Sequence, residues 1–168
     1  MIMFVYLFCI SITQGGDILE GQLVGQRRHQ AAYVLGNYFF RWSMIITLTG
    51  SAILAIFGRE ILAAFTDNQE IITLGVWVLI IDWFLEIGRT SNIFAVGTLR
   101  ATGDAIYPVI IAIIFNWTIA VGLSYVVGIP LGYGLIGMWV AFALDENIRG
   151  IILMRRWRSG KWRSKGLT

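Results

Sequence analysis

The sequence predicts an all-α integral membrane protein with about five transmembrane helices. Hydrophobic residues make up 57% of its 168 residues, and its mean hydropathy is +0.73. Charged residues make up only 14%, against roughly 25% in an average soluble domain. The apolar residues gather in runs, and crossing a bilayer takes about 20 residues of helix. This composition excludes a disordered chain, which needs low hydrophobicity and high charge, and argues against a soluble domain.

The predicted spans follow one another through the first 154 residues. The first occupies about residues 1–24 and becomes polar in its second half, as if it began abruptly inside a longer protein. The others occupy about residues 42–58, 71–98, 106–128 and 131–154. The mixed segment Arg27 to Arg41 and the amphipathic segment Arg59 to Glu70 are expected to connect them. Residues 155–168 are expected to form a basic tail.

Local signals mark the ends of the later spans. Asp67 and Glu70 have the spacing of a capping box, which predicts a helix start before the third span. Pro108 suits the first turn of the fourth span, where a missing N–H costs nothing. The sequence Gly128-Ile129-Pro130 predicts the turn that ends that span.

The distribution of basic residues predicts the orientation. With five spans the chain ends lie on opposite sides, and loops rich in Lys and Arg stay in the cytoplasm. The tail, the segment 27–41 and the loop 99–107 then share one side, whereas the opposite side receives Arg59 among acidic residues. We therefore expect a multi-pass protein of the plasma (inner) membrane with a cytoplasmic C-terminus.

Three charged residues interrupt the third span. At about 100° per residue, Glu86 lies about 40° from Asp82 around the helix axis. Arg89 lies about 20° from Asp82 in the opposite direction. All three therefore share one face of the helix. Charges at membrane depth are costly and mark ion pathways or buried pairs. Asp82 and Glu86 are the candidate cation-coupling residues and Arg89 their supporting partner; a purely structural Glu86–Arg89 pair is the alternative.

Three more polar residues are candidates for lining a cavity. Asn116 lies within the fourth span, where it could face a substrate or bond a neighbouring helix. Asp17 and Glu20 lie in the polar half of the first span, where they could line the same cavity or stand in water at its mouth. His29 stands beside two arginines and is expected to be solvated.

Signatures of an enzyme or of a metal centre are missing from the sequence. One Cys and one His exclude a Cys/His metal cluster, and neither a phosphate loop nor a nucleophile elbow is present. Trp157 and Trp162 alternate with basic residues in the tail. Such a pattern can bind single-stranded nucleic acid, but directly after a membrane helix it favours anchoring to the lipid headgroups. We therefore expect a lipid bilayer and no nucleic acid as partner.

Several segments resemble the multidrug and toxic compound extrusion (MATE) transporters. The sequence LRATGDAIYP, from Leu99 to Pro108, resembles a loop between two helices of that family. LGYGLIGMWVAFALDENIRG resembles its last helix, GQLVGQRRHQAAY the end of its eighth helix, and FGREILAAFTDNQEI the loop after its ninth. The resemblance covers essentially the entire chain.

The resemblance implies a fold and an activity. MATE proteins have twelve helices in two six-helix lobes, and they export bulky, often cationic drugs against an inward flow of sodium ions or protons. This chain would supply helices eight to twelve, most of the C-terminal lobe, and would not transport efficiently alone. Asp82 matches an acidic residue on the tenth helix that takes part in cation binding in some members. No resident cofactor is implied beyond the coupling ion.

Two other functions compete with drug export. A lipid-linked precursor flippase of related fold would be expected to have a strongly basic central cavity, whereas Arg89 is the basic residue expected deep in these spans. A small membrane subunit or assembly protein would need no second lobe. It would instead have its own start site and form a stable complex.

Overall fold

The computed structural model describes residues 2–165, and every regular element in that range is helical. Met1 of the first predicted span and residues 166–168 of the predicted tail lie outside the described residues. The elements are α1 (Ile2–Gly25), α2 (His29–Ile56), α3 (Gly58–Ala63), α4 (Gln69–Ala101), α5 (Ile106–Phe115), a π-helical segment (Asn116–Leu123), α6 (Ser124–Gly128), α7 (Gly134–Arg158) and a short 3-10 helix (Lys161–Ser164).

Three stretches of helix within the described residues are long and apolar enough to cross a membrane. They are α2, α4 and the continuous run Ile106–Gly128, which joins α5, the π-helical segment and α6. The helices α1 and α7 are of similar length, with acidic side chains in the second half of α1 and in the middle of α7. The chain is thus an all-α, multi-pass membrane protein, and the five-span arrangement remains a prediction for α1 and α7.

The segment between α1 and α2 is much shorter than expected. The prediction that residues 27–41 form a connecting segment was wrong, because α2 already begins at His29. A tight turn joins the two helices, and Arg27 takes the left-handed conformation there, with φ 59°. Ala32 and Gly36 recur on one buried face of this first part of α2. Basic residues interrupt the apolar pattern in this part of the chain, so hydropathy alone does not predict that it is helical.

The start of α4 is capped one residue later than expected. The N-cap is Asn68, whose side-chain oxygen accepts hydrogen bonds from the backbone N–H groups of Glu70 at 2.9 Å and Ile71 at 3.3 Å. The predicted capping box from Asp67 to Glu70 was therefore wrong in register. An Asn side chain offers the helix the same acceptor as Asp without needing the reciprocal Glu.

The helix α4 is the centre of the bundle. It packs most extensively against α7 and also contacts α2 and α1. Small residues permit this close approach: a Cβ added to Gly150 would lie 2.8 Å from the backbone oxygen of Gly88. A Cβ on Gly88 would meet the backbone of Asn147. Gly-mediated contact of this kind is the usual way in which membrane helices gain packing energy.

The tail folds back onto the bundle. The helix α7 continues to Arg158, and Gly160, with φ 67°, then reverses the chain. Trp157 and Trp162 stack with ring centroids 4.7 Å apart, and both are fully buried. The expectation that these indoles anchor in the headgroups was therefore wrong. His29 is half-buried and packs edge-on against Trp162, so it is not the solvated loop residue expected.

Candidate functional site

The charged face of α4 points into the bundle. Asp82 and Glu86 are buried, with side-chain exposures of 3% and 0%. Arg89, one turn further along, donates a hydrogen bond to Glu86 and has a guanidinium nitrogen 3.7 Å from Asp82. The predicted single face for these three residues is therefore the face observed. Their role in coupling remains a prediction.

A second charged group faces the first from α7. Arg149 forms ion pairs with Asp145 at 2.7 Å and with Glu146 at 2.8 Å. The side chain of Asp145 is fully buried, and that of Glu146 is 13% exposed. In the sequence these residues belong to the segment LGYGLIGMWVAFALDENIRG, which was expected to form the last helix, and none of them was a site candidate. The structure places them in the interior instead.

Contacts across the α4–α7 interface join the two groups. Asn92 of α4 donates a hydrogen bond of 2.7 Å to Glu146 of α7. Asn147 of α7 donates in return to the backbone oxygen of Phe84, at 3.1 Å. Since Gly88 lies between these bonds, the backbones approach closely enough for both to form. We call the six charged side chains and Asn92 the α4–α7 polar network.

The α4–α7 polar network has more acidic than basic groups. It holds four carboxyl groups and two guanidinium groups, so full ionisation would leave an excess of two negative charges. Several of its carboxyl oxygens are buried without a hydrogen-bond partner among the described residues; they are Asp82 Oδ1, Glu86 Oε2 and Asp145 Oδ1. Unbalanced charge in such a site is costly. The network is therefore suited to taking up a proton or a cation.

The network is closed on its third side by α1. The guanidinium carbon of Arg89 lies 5.9 Å from the ring centre of Tyr6, in a cation–π arrangement. Next to it, Thr90 bonds to Thr47 of α2 at 2.9 Å and to the Cys9 thiol at 3.9 Å. These neutral contacts fix α1 and α2 against α4.

The three candidate cavity residues lie outside this network. Asn116 begins the π-helical segment and is exposed on the surface of the described bundle. Asp17 is half-buried and packs against Gly97 of α4. Glu20 is fully buried between Gly36 of α2 and Trp157 of α7, so it does not stand in water at a mouth. The structure does not bring these residues together with Asp82.

A signal for the missed residues is present in the sequence. Asp145 and Arg149 are four apart, the spacing of a helical ion pair. They follow small residues, since Gly137 and Ala141 are buried and precede Asp145 at the same four-residue spacing on α7. Small residues mark the face that packs against another helix. That pattern alone does not say which partner helix, or which charges, the face would meet.

The charged groups are arranged for pairing rather than for enclosing a metal. Within residues 2–165, no three Asp, Glu, Cys or His side chains converge as a metal site would require. The two arginines stand between the carboxyl groups and separate them. Such an arrangement can exchange a proton, or hold one cation weakly, by rearranging its ion pairs.

Comparison with known proteins identifies relatives along nearly the entire chain. An uncharacterized transporter, YisQ, of Bacillus subtilis is 39% identical over 165 residues, which is 98% of this chain and 36% of that protein. Probable multidrug resistance proteins NorM of Thermotoga maritima and Rhizobium meliloti are 28% and 26% identical. They are matched over 86% and 91% of this chain, and over 31% and 33% of their own lengths.

The chain thus spans about a third of the length of these curated relatives. No solved structure gives a significant match. The family model described as MatE matches residues 1–143. This chain therefore belongs to the MATE family, whose members are membrane transporters rather than enzymes.

Proposed function

We propose that this chain forms most of the C-terminal lobe of a cation-coupled multidrug exporter in the plasma membrane. The coupling ion is sodium or a proton, and the substrates are small organic, often cationic drugs. An N-terminal lobe, on the same polypeptide or on a separate one, completes the transporter. Alternating access requires one bundle to rock against another around a site between them, so the chain alone does not transport.

The acidic excess of the α4–α7 polar network is the observation that supports coupling. Two ion pairs satisfy two carboxyl groups, and the other two need a proton or a cation to be neutral in the bundle. If Arg89 exchanged Glu86 for Asp82 as its ion-pair partner, the carboxyl group that needs the proton or cation would change as well. Because Asn92 joins the network across the α4–α7 interface, uptake of the ion would also act on helix packing, as coupled transport demands.

The names of the relatives support the substrate class. NorM proteins of several bacteria are named as multidrug resistance proteins, and this chain matches each over a similar third of its length. The flippase alternative expects a strongly basic cavity, whereas the two arginines at this site are both paired with carboxylates.

Substitution of Asp82 tests the proposal. Asp82→Asn keeps the shape of the side chain and removes both its proton-binding site and the negative charge that attracts a cation. In cells that express the complete transporter containing this segment, we expect resistance to exported drugs to fall to that of cells without it. Growth across a drug dilution series, with the membrane level of the protein measured by immunoblot, gives the result.

Glu60→Gln is the matched control, because Glu60 is an exposed acid on α3. It should leave resistance unchanged. Resistance retained by Asp82→Asn at a normal membrane level would contradict the proposal. Sequencing the DNA upstream of Met1 tests the second lobe separately, since further apolar spans in frame would place it on the same polypeptide.

A further inference from the structure

Glu20 is a buried acid that the transport proposal leaves unused. It lies on α1, and its residue is fully buried, with 0% exposure. Both of its carboxyl oxygens are buried without a hydrogen-bond partner among residues 2–165. A carboxylate in that position would be an unpaired charge removed from water, which is costly. A neutral carboxylic acid avoids most of this cost.

The side chain is held from two other helices. A Cβ added to Gly36 of α2 would lie 2.8 Å from Oε1 of Glu20 and 3.0 Å from the Trp157 ring of α7. The glycine and the indole therefore enclose the carboxyl group. Neither carries a charge that could pair with a carboxylate. The Trp157 ring is itself stacked between Tyr33 and Trp162, so it cannot move freely.

An acidic neighbour on the same helix also disfavours a charge on Glu20. Asp17 lies three residues earlier on the same helix, and its Oδ1 is buried and unpartnered among the described residues. Asp17 lies against Gly97 of α4, one helical turn from Arg100, whereas Glu20 lies between Gly36 and Trp157. Two like charges on one face repel each other. The presence of Asp17 therefore makes a charge on Glu20 still less favourable.

We propose that Glu20 is a second proton-binding site, separate from the α4–α7 polar network. It holds a proton while α1, α2 and α7 are packed together. It releases the proton when these helices separate and water reaches the carboxyl group. The site binds one hydrogen ion on a carboxyl oxygen and needs no other ligand. Packing of α1 against α2 and α7 is thereby linked to pH.

Infrared spectroscopy of this chain in lipid vesicles tests the assignment. A protonated carboxyl group and a carboxylate absorb in separate regions of the spectrum. In vesicles of phosphatidylcholine and phosphatidylglycerol at neutral pH, Glu20→Gln should remove intensity from the protonated band. The control variant Glu60→Gln changes an exposed acid and should remove intensity from the carboxylate band instead.

A loss of carboxylate intensity from Glu20→Gln would overturn the proposal, because Glu20 would then be ionised and balanced by a cation. Failure of Glu20→Gln to fold would count against it too, since a neutral amide has nearly the shape of a neutral acid. Glu20→Met, a second neutral side chain of similar length, should also fold and lack the same protonated intensity. None of these results depends on transport, so they stand apart from the test of Asp82.

Discussion

Arg149 is expected to be the most sensitive single residue of the α4–α7 polar network for stability. It neutralises the fully buried Asp145 and also contacts Glu146. Arg149→Gln leaves Asp145 buried without its counter-charge, and removing one partner of a buried pair costs about 3–5 kcal/mol. We expect a loss of that size in the free energy of unfolding, measured by denaturant titration in detergent with circular dichroism.

The exposed cation Lys165 provides a matched control. Lys165→Gln removes the same charge from the surface and should change stability by less than about 0.5 kcal/mol. Adding Asp145→Asn to Arg149→Gln should recover part of the loss, because the unpaired carboxylate is then removed. Equal unfolding midpoints for Arg149→Gln and the wild-type chain would contradict the assigned ion pair.

The sequence predicts the charged face of α4 but not its partner. Asp82, Glu86 and Arg89 belong to one helix, so the helical period alone places them together. Asp145 and Arg149 also form a local pair, yet their meeting with Asn92 depends on how α7 rotates against α4. That rotation is set by Gly88 and side-chain packing over the interface. No local pattern specifies it.

The two central helices depend on a glycine contact. A Cβ on Gly88 would lie 2.6 Å from the Asn147 Cα, so α7 would have to move away. We expect Gly88→Ala to destabilise the chain by about 1–3 kcal/mol or more, as overpacking does. It should also break the bond from Asn147 to Phe84. Thermal unfolding in detergent measures the first effect.

Gly15 is the matched position for this comparison, because a Cβ there meets nothing within 4 Å. Gly15→Ala should keep or raise stability, since alanine is favoured over glycine inside a helix by about 0.5–1 kcal/mol. If Gly88→Ala were as stable as Gly15→Ala, the close approach of α4 and α7 would be wrong.

The loop between α4 and α5 explains part of the family resemblance in physical terms. Asp104, at the end of the LRATGD segment, accepts a hydrogen bond of 2.7 Å from Arg156 near the end of α7. The same guanidinium group lies 4.7 Å from the ring centre of Tyr107. One short segment thus fixes the ends of α4, α5 and α7 together. Sequence alone shows the segment but not its distant partner.

Helix limits could be predicted where apolar runs and turn residues coincide. The expected span 106–128 matches the continuous run Ile106–Gly128. The expected span 71–98 lies within α4, whose cap at Asn68 sets its first residue. The start of α2 was missed because Arg27, Arg28 and Arg41 look like a loop. Arg27 and Arg28 do lie in the turn, whereas Arg41 is exposed on the surface of α2 while Ala32 and Gly36 pack inside.

The topology of the chain is a further prediction. With five spans and a cytoplasmic C-terminus, the loop after α3 and the tail lie on opposite sides of the membrane. Asp67→Cys and Lys165→Cys place a thiol at an exposed position on each side. The native Cys9 is buried, which limits background labelling. We expect an impermeant maleimide added to intact cells to label Asp67→Cys and to spare Lys165→Cys.

Cells opened by detergent provide the control, because both variants should then be labelled equally. Labelling of Lys165→Cys in intact cells would contradict the cytoplasmic C-terminus. Labelling of both positions from outside would contradict an odd number of spans between the loop and the tail.

Ion movement through the complete transporter tests the proposed role of the α4–α7 polar network. The transporter is reconstituted in vesicles that contain a pH-sensitive dye, and sodium flux is followed in parallel. Adding an exported drug should drive proton or sodium movement in the wild type and in Glu60→Gln. Asp82→Asn should bind the drug but move neither ion. Drug-driven ion movement by Asp82→Asn at the wild-type rate would contradict the assignment of coupling to this network.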